Sequence, residues 1–267
     1  MSIPTTVHSP LQPTFESHAI AGVRVDNVTF GEALNAIESF LVSNRLHRIV
    51  TPNVDHILIA QHNAAFRDAI NTSSLSVPDG KWLVRGARWL NIRFRESIAG
   101  RLLVEPMLKL AIERERSVYI LASRGDVAER AARNLQIKYP NLRIAGAHSP
   151  SLRFGEDAAE TEQILETLNK LKPDILFLGM GAPKSEIWLH ENEHRIPAKV
   201  AIGVGYAFDI IAGDIRECPR WMTRIGFEWA YRLCREPKRL WKRYLIRDPQ
   251  FFALMLRERR KRRDTTD

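Results

Sequence analysis

The chain has 267 residues, 45% of them hydrophobic and 27% charged, which is the composition of a globular protein with a sizeable core. No apolar run approaches the roughly 20 residues that span a bilayer, and Cys218 and Cys234 are the only cysteines. The sequence therefore argues against an integral membrane protein and against a disulfide-stapled secreted domain, and it fits a reducing cytoplasm.

The predicted elements begin after residues 1–19, which are polar and contain prolines and which we expect to form a disordered leader. Residues 20–215 then alternate short apolar runs with longer amphipathic ones. The predicted strands are "GVRVDNV", "RIVTPNVD", "LSVPDG", "SVYILAS", "LRIAGAH", "DILFLGMG" and "KVAIGVG". The predicted helices are "TFGEALNAIESFLVSN", with Thr29 as its N-cap, "HILIAQHNAAFRDAI", "DVAERAARNLQIKY" and "EDAAETEQILETLNKL". This alternation predicts an α/β body with a parallel sheet covered by helices on both faces.

Residues 216–267 have a different pattern, with many aromatic side chains, no strand signal and turn breaks at Pro237 and Pro249. Residues 216–263 contain 16 Lys and Arg against 5 Asp and Glu, a net charge of +11, whereas the whole chain carries +9. We therefore place a boundary near residue 215 and predict a basic helical appendage after it. Three interpretations fit that appendage: a helix packed on the body with a solvated basic face, a helix lying on an anionic bilayer, and a nucleic-acid patch.

Arginines of this segment are candidates for binding phosphate, because a guanidinium group donates forked hydrogen bonds to phosphate oxygens. Arg232, Arg235, Arg239 and Arg243 are spaced by three or four residues and would share one helical face if the helix continues past Pro237. The sequence contains no Asp-x-Asp, the pair with which metal-dependent sugar-nucleotide enzymes often hold a divalent ion. A departing diphosphate would then be neutralised by cationic side chains and helix dipoles, and we predict neither a metal nor another cofactor.

A glycine-rich segment follows one predicted strand, at the edge of the sheet where parallel α/β proteins bind their ligands. In "DILFLGMGAPKSEIWL", Gly179 and Gly181 allow close backbone approach, and Pro183 and Lys184 begin a helix whose N-terminus favours an anion. The alternative is a simple strand-to-helix turn with a surface lysine. The segment has neither the spacing of a Walker loop nor the third glycine of a dinucleotide fingerprint.

Polar residues follow two more predicted strands at the same edge. In "TPNVDH", Thr51, Asn53 and Asp55 would face the crevice, although helix capping by Asn53 or Asp55 is the alternative. In "SVPDGK", Asp79 is a candidate general base, although Asp-Gly is also a common turn dipeptide. With an ordinary pKa of about 3.9, this carboxyl would be ionised at neutral pH and ready to accept a proton.

Seven segments in register resemble the WecG/TagA/CpsF family of bacterial glycosyltransferases over about residues 20–247. They are "VTPNVDHILIAQHNAAFRDAI", "VPDGKWLV", "ESIAG", "YPNLRIAG", "GMGAPKSEIWL", "GVGYAFDIIAGDIRECPRWM" and "GFEWAYRLCREPKRLWKRY". The resemblance implies transfer of a sugar from a UDP-sugar to a polyprenyl-diphosphate-linked saccharide, with inversion and without a metal. It also implies a Rossmann-like body and a C-terminal helical appendage that closes the site and contacts the membrane, on the inner face of the cell membrane.

The resemblance also assigns roles to residues of this chain. Asp79 matches the catalytic base, and Thr51 and Asn53 match polar pocket residues near it. The remaining matched positions are donor-binding: Gly179, Gly181, Pro183, Lys184, Ser185 and Glu186 in the donor loop, and Arg232, Arg239 and Arg243 over the diphosphate.

The chain departs from the family pattern at a few positions. Ser97 stands where the family usually has an arginine, Ser185 where it has a glutamine, and Tyr206 where a small residue is common. We expect the two serines to change the contacts of the donor's sugar or phosphates.

Two alternative functions come from other classes of protein. One is a nicotinamide-dependent oxidoreductase, which requires a complete glycine fingerprint after the first strand. The other is a non-catalytic membrane-binding or nucleic-acid-binding module. On the glycosyltransferase interpretation we expect no nucleic-acid partner.

Overall fold

A computed structural model describes residues 15–122 and 125–264 and confirms the predicted α/β class. The strands are β1 Ser17–Ile20, β2 Val23–Asp26, β3 His47–Val50, β4 Leu75–Ser76, β5 Ser117–Ala122, β6 Arg143–His148, β7 Ile175–Gly179 and β8 Val200–Gly203. The helices of the body are α1 Phe30–Phe40, α2 Val54–Ala60, α3 Ala64–Asn71, α4 Lys81–Ala87, α5 Gly100–Glu113, α6 Val127–Lys138, α7 Ala158–Leu171, α8 Lys184–Glu191 and α9 Ala207–Ala212. The C-terminal helices are α10 Arg220–Ile225, α11 Glu228–Arg235, α12 Pro237–Trp241, a π-helical segment Lys242–Arg247 and α13 Gln250–Asp264. A 3₁₀ turn, Arg88–Leu90, follows α4.

The central sheet has six parallel strands in the order β4-β3-β8-β7-β5-β6. Alternate residues of its strands enter two separate cores. Val118 and Ile120 of β5 pack with α1, α5 and α6, whereas Tyr119 and Leu121 pack with α7 and α8. The sheet is therefore covered by helices on both faces, and its strands read as nearly continuous apolar runs for that reason. Because all six strands run the same way, the loops after them share one edge.

The N-terminal prediction needs correction. Residues 1–14 of the expected leader lie outside the described residues, but Ser17–Ile20 form β1, which pairs with β2 in a separate antiparallel hairpin. Ile20 is fully buried, and the Ser17 hydroxyl donates to Asp26 Oδ1 at 2.6 Å, so these contacts order the chain before residue 20. The segment "GVRVDNV" is a strand as predicted, but it does not belong to the parallel sheet.

Two helix predictions are resolved by capping. Thr29 is the N-cap of α1, in a reciprocal capping box with Glu32, as the sequence predicts. The segment "HILIAQHNAAFRDAI" is not one helix, because the Asn63 side chain accepts a hydrogen bond from the Phe66 amide at 2.9 Å and starts α3 anew. The sequence patterns did not indicate α4 or α5.

The C-terminal segment is helical, as predicted, but its last helix is part of the body's packing. Phe251 and Met255 of α13 are fully buried in one cluster with Val25 and Ile57. The predicted arginine row is not one helical face, since α11 ends at Arg235 and Pro237 starts α12. Within the described residues, no helix is both long and apolar enough to cross a membrane.

Candidate active site

A cavity of about 1320 Å³ opens at the carboxyl edge of the sheet, between the loops after β3, β4, β7 and β8 and the C-terminal helices. It brings together residues that the sequence predicts from separate segments. Those that line it are Thr51, Asn53, Asp79, Gly179, Gly181, Lys184, Ser185, Glu186, Arg232, Arg239 and Arg243. Pro183 does not line the cavity; it follows a cis peptide bond and precedes the first residue of α8. Ser97 lines it as well.

Asp79 lies on the body side of the cavity, between the end of β4 and the start of α4. Its backbone amide donates to Pro52 O at 2.9 Å, and Gly80 follows with a φ of +86°, so the Asp-Gly turn is also present. Burial, followed by the negative charge of Glu228, raises the pKa of Asp79 to about 6. His56, the Gly100 amide and Arg101 oppose that shift in pKa. The carboxyl is thus a stronger base than the ordinary aspartate that the sequence suggested.

Thr51 and Asn53, which follow β3, line the cavity. The Thr51 side chain lies against Gly100, where an added Cβ would stand 2.5 Å from Thr51 Oγ1, so this contact requires glycine. Asn53 Oδ1 accepts hydrogen bonds from the Asp55 and His56 amides at 3.0 and 3.2 Å, which confirms the capping interpretation. Asn53 therefore caps α2 and lines the cavity with the same side chain.

The glycine-rich loop joins β7 to α8. A Cβ on Gly179 would stand 3.0 Å from Gly205 O, and Gly181 has a φ of +80°, so close packing and a left-handed turn account for the two glycines. The Lys184 ammonium donates to Leu152 O at 2.9 Å and pairs with Glu156 at 2.9 Å. Lys184 therefore lines the cavity while its charge is directed to the loop before α7.

Cationic side chains from the C-terminal helices form the opposite wall. The Arg232 guanidinium lies over the Tyr206 ring, 3.8 Å from its centroid, and Arg239 pairs with Glu236 at 2.8 Å. Arg243 Nε lies 3.2 Å from Asp55 Oδ2. Three arginines from three helical segments thus converge on one cavity, which their sequence spacing alone did not require.

The sequence patterns did not predict a network of hydrogen bonds and ion pairs that connects the body to the C-terminal helices. Arg101 of α5 donates to both carboxylate oxygens of Glu228 at 3.1 Å and to Glu217 at 3.0 Å. The Tyr206 hydroxyl donates to the same Glu228 carboxylate. Burial would raise the pKa of Glu228, but its bonds from Arg101 hold that pKa below the ordinary range. Arg101 directly follows the "ESIAG" segment, yet no local pattern identifies a partner 127 residues away.

Metal-ligating clusters are absent from the part of the chain that the structure describes. No group of three or more His, Cys, Asp or Glu side chains within residues 15–122 and 125–264 could hold a metal ion. The polar atoms that face the cavity are instead carboxylates, guanidinium groups, hydroxyls and backbone groups of glycine-rich turns. This set can accept a proton from a hydroxyl and bind an anion.

Comparisons with known proteins agree with this chemistry. The profile of the Glycosyl transferase WecG/TagA/CpsF family matches residues 18–265. An N-acetylglucosaminyldiphosphoundecaprenol N-acetyl-beta-D-mannosaminyltransferase of Staphylococcus aureus (strain MRSA252) is 31% identical over 223 residues, covering 83% of this chain and 85% of that protein. A Bacillus subtilis (strain 168) protein of the same name is 24% identical over 249 residues, covering 93% of this chain and 94% of its own length.

Proposed function

The chain belongs to the WecG/TagA/CpsF family of glycosyl transferases, and on that premise we propose that it transfers a sugar from a UDP-sugar to a polyprenyl-diphosphate-linked saccharide. The transferred sugar is a hexose or an N-acetylhexosamine, and the product enters the synthesis of a bacterial surface or exopolysaccharide. The relatives' names specify an N-acetylmannosaminyl group and an N-acetylglucosaminyl-diphosphoundecaprenol acceptor. The family match favours this function over the oxidoreductase and non-catalytic alternatives.

One observation carries the proposal: Asp79, the donor loop and three arginines line a single cavity. Asp79 accepts the proton of an acceptor hydroxyl as its oxygen attacks the anomeric carbon. The new C–O bond forms on the face opposite the departing UDP, which leaves with the electron pair of the broken C–O bond, so the configuration inverts. With a pKa of about 6, Asp79 is roughly 90% ionised at pH 7 and still a better base than an ordinary aspartate.

The leaving diphosphate gains negative charge as the bond breaks, and the arginine wall opposes that charge. Arg232, Arg239 and Arg243 line the same cavity as the glycine-rich loop, so guanidinium groups and the backbone amides at the start of α8 are both available to the diphosphate. Groups that are already oriented before reaction stabilise such charge without reorganising. The proposed reaction therefore needs no metal ion at the diphosphate.

The substitution Asp79→Asn tests the base. We expect turnover to fall by roughly 10²- to 10⁴-fold, because the amide cannot accept the proton, while the donor still binds in calorimetry. Turnover is measured with UDP-sugars of N-acetylmannosamine, N-acetylglucosamine and glucose and a short lipid-diphosphate sugar acceptor, by mass spectrometry. Asp68→Asn, an exposed residue of α3 that does not line the cavity, is the matched control. Near-normal turnover of Asp79→Asn would remove Asp79 from the mechanism.

We further propose that the segment 216–263 associates with an anionic membrane surface, which would place the protein on the inner face of the cell membrane. Seven large apolar side chains of this segment are 42–64% exposed: Trp221, Ile225, Phe227, Trp241, Leu245, Ile246 and Leu256. They are interleaved with the 16 Lys and Arg of the same segment, a combination suited to an interface with anionic lipid. The packed-helix interpretation applies to one side of the segment, since Phe251 and Met255 are buried.

A further inference from the structure

Asp55, the second residue of α2, is a buried carboxylate at the cavity wall that helix capping does not explain. Its side chain is 8% exposed, and it lines the cavity as Asn53 does. The side chain that caps α2 is that of Asn53, so Asp55 is not needed for this purpose. A carboxylate is rarely buried unless nearby cations compensate its charge. The cations that approach Asp55 belong to the C-terminal segment.

Two arginines of the π-helical segment converge on this carboxylate. Arg243 Nε lies 3.2 Å from Asp55 Oδ2, and Arg247 Nη2 lies 2.5 Å from Asp55 Oδ1. Asp248 is a more distant partner, 4.0 Å from Arg243 Nε. In this segment the Asp248 amide donates to the Arg243 carbonyl at 2.8 Å, and π-helical turns are frequent at functional sites. Asp55 thus joins the body to the C-terminal segment through two ion pairs.

The ion pair with Asp55 holds Arg243 by charge and leaves its hydrogen-bond donors available. Arg243 Nε and Asp55 Oδ1 are buried without a hydrogen bond of normal geometry among the residues that the structure describes. Arg239, by contrast, already donates to Glu236 at 2.9 Å. A guanidinium group carries several N–H donors in a planar fork that matches phosphate oxygens. Because Arg243 lines the cavity, those donors are available to an anion bound there.

The two partners of this ion pair belong to elements that are fixed against each other. The Asn53 cap fixes the start of α2, and Ile57 of the same helix is fully buried in one cluster with Phe251 of α13. The segment that carries Arg243 directly precedes α13. A long side chain that is ordered before its ligand arrives loses less conformational entropy on binding. Asp55 is therefore placed to orient Arg243 in advance.

We propose that Asp55 is a positioning residue, which holds the Arg243 guanidinium in the cavity for the diphosphate of the donor. This inference rests on the proposed function, because it takes the bound anion to be the diphosphate of a UDP-sugar. Asp55 acts through Arg243 and does not bind the diphosphate itself, since two negatively charged groups repel each other.

The test is the binding of UDP and of uridine to the full chain, by calorimetry for UDP and by ligand-observed NMR for the weaker uridine. Asp55→Asn removes the charge that holds Arg243 and keeps the size of the side chain. We expect UDP to bind roughly 10- to 100-fold more weakly, as for loss of a hydrogen bond to a charged group. Uridine should bind within twofold of wild type, because it has no phosphate.

A double-mutant cycle shows whether Asp55 acts through Arg243. Arg243→Gln should weaken UDP by about the same factor as Asp55→Asn. The variant that carries both substitutions should bind UDP no more weakly than either single variant, because each one removes the same contact with the diphosphate.

Asp55→Glu separates positioning from a purely structural ion pair. It keeps the charge but lengthens the side chain by one methylene group, which displaces the carboxylate. We expect a thermal midpoint close to that of the wild type, with UDP binding at least about threefold weaker, because orientation depends on where the charge lies. This variant also carries the test if Asp55→Asn does not fold, since removal of one partner from a buried ion pair is strongly destabilising.

Glu193→Gln is the matched structural control. Glu193 pairs with Arg48 at 2.8 Å, the Arg48 side chain is 2% exposed, and neither residue lines the cavity. Loss of this ion pair should lower the thermal midpoint, while the affinities for UDP and uridine stay within twofold of wild type.

A UDP affinity within twofold of wild type in either folded Asp55 variant would overturn the positioning role. Equal weakening of UDP and uridine would also overturn it, as would additive losses in the double variant. A wild-type chain that binds neither UDP nor uridine would instead overturn the donor class, and this inference with it. Loss of turnover in Asp79→Asn with unchanged UDP affinity in the Asp55 variants would leave the proposed function standing and remove only this inference.

Discussion

The body wall of the cavity is built from loops that follow parallel strands, whereas the wall opposite is built from short C-terminal helices. The body contributes the proposed base and the proposed donor loop, and their neighbours are the buried ends of β3, β4, β7 and β8. The C-terminal wall contributes arginines that stack on tyrosine or pair with carboxylates, and it exposes large apolar side chains. The proposed base and donor loop thus lie on the body wall, and the three arginines and the proposed membrane surface lie on the C-terminal wall.

The C-terminal segment is itself divided. The stretch from α10 through the π-helical segment contains six of its seven exposed apolar residues. In contrast, α13 packs against the body with Phe251 and Met255. Gly86 of α4 makes room for this return, since a Cβ there would stand 2.3 Å from the Phe251 ring. The term appendage therefore describes α10 to α12 better than it describes α13.

The largest expected effect tests whether α13 belongs to the body's core. Phe251→Ala should lower the free energy of unfolding by about 3–5 kcal/mol, because a fully buried ring is replaced by a cavity. Chemical denaturation measures this difference. Phe227→Ala, a residue 45% exposed in the same segment, is the control and should change the free energy by much less. Equal losses for the two variants would contradict the division described above.

The second prediction sharpens the contrast between the exposed surface of the C-terminal helices and that of the body. Leu245→Ser combined with Ile246→Ser should reduce partitioning onto phosphatidylglycerol vesicles by at least about tenfold, since these side chains are 57% and 52% exposed and would enter the bilayer interface. Flotation assays measure this partitioning. Val42→Ser combined with Ile137→Ser changes two apolar residues of the body that are even more exposed, at 64% and 79%, and should have no effect. If the two pairs behaved alike, the membrane proposal would fail.

The smallest expected effect is a shift in the pH dependence of kcat/KM, caused by the charge of Glu228 on the C-terminal wall acting on Asp79 of the body. In the proposed mechanism Asp79 acts in its ionised form, so kcat/KM should fall about tenfold per pH unit below about pH 6. The charge of Glu228 raises the pKa of Asp79, so Glu228→Gln should lower that pKa and move the acid limb to lower pH. Release of Arg101 from Glu228 acts in the same direction, since its positive charge favours the ionised carboxyl.

The control for this shift is Glu217→Gln, because Glu217 also pairs with Arg101 but is not among the main groups that shift the pKa of Asp79. Its acid limb should coincide with that of the wild type. If the acid limb of the kcat/KM profile did not move in Glu228→Gln, the C-terminal wall would not determine the pKa of Asp79.

Much of the fold was predictable because its signals are local. The inner strands of the parallel sheet are buried on both faces and read as apolar runs, and Thr29 with Glu32 forms a capping box within four residues. The strand ends that carry Thr51, Asp79 and Gly179 were identifiable for the same reason. Their convergence follows from the parallel sheet itself, since all its strands end at one edge.

Other features depend on contacts between distant parts of the chain. The hairpin β1–β2 lies outside the main sheet and is joined to its edge strand β4, where the Asp26 carboxylate accepts a hydrogen bond from the Ser76 amide, fifty residues later. The arginines of the C-terminal segment face the cavity from three helical segments rather than from one periodic face. Neither the position of the hairpin nor the convergence of the arginines can be predicted from a short segment of the sequence.

The sequence by itself determined the strand and helix order, the location of the glycine-rich loop and the identity of the carboxylate at the strand end, because hydrophobic periodicity, capping and turn chemistry act between near neighbours. Only the tertiary structure decided which side chains meet: Arg101 with Glu228, Arg243 with Asp55, and Glu186 with His56. Those pairings are set by the approach of residues far apart in the chain, and so is the pKa of Asp79, which burial and the charge of Glu228 raise.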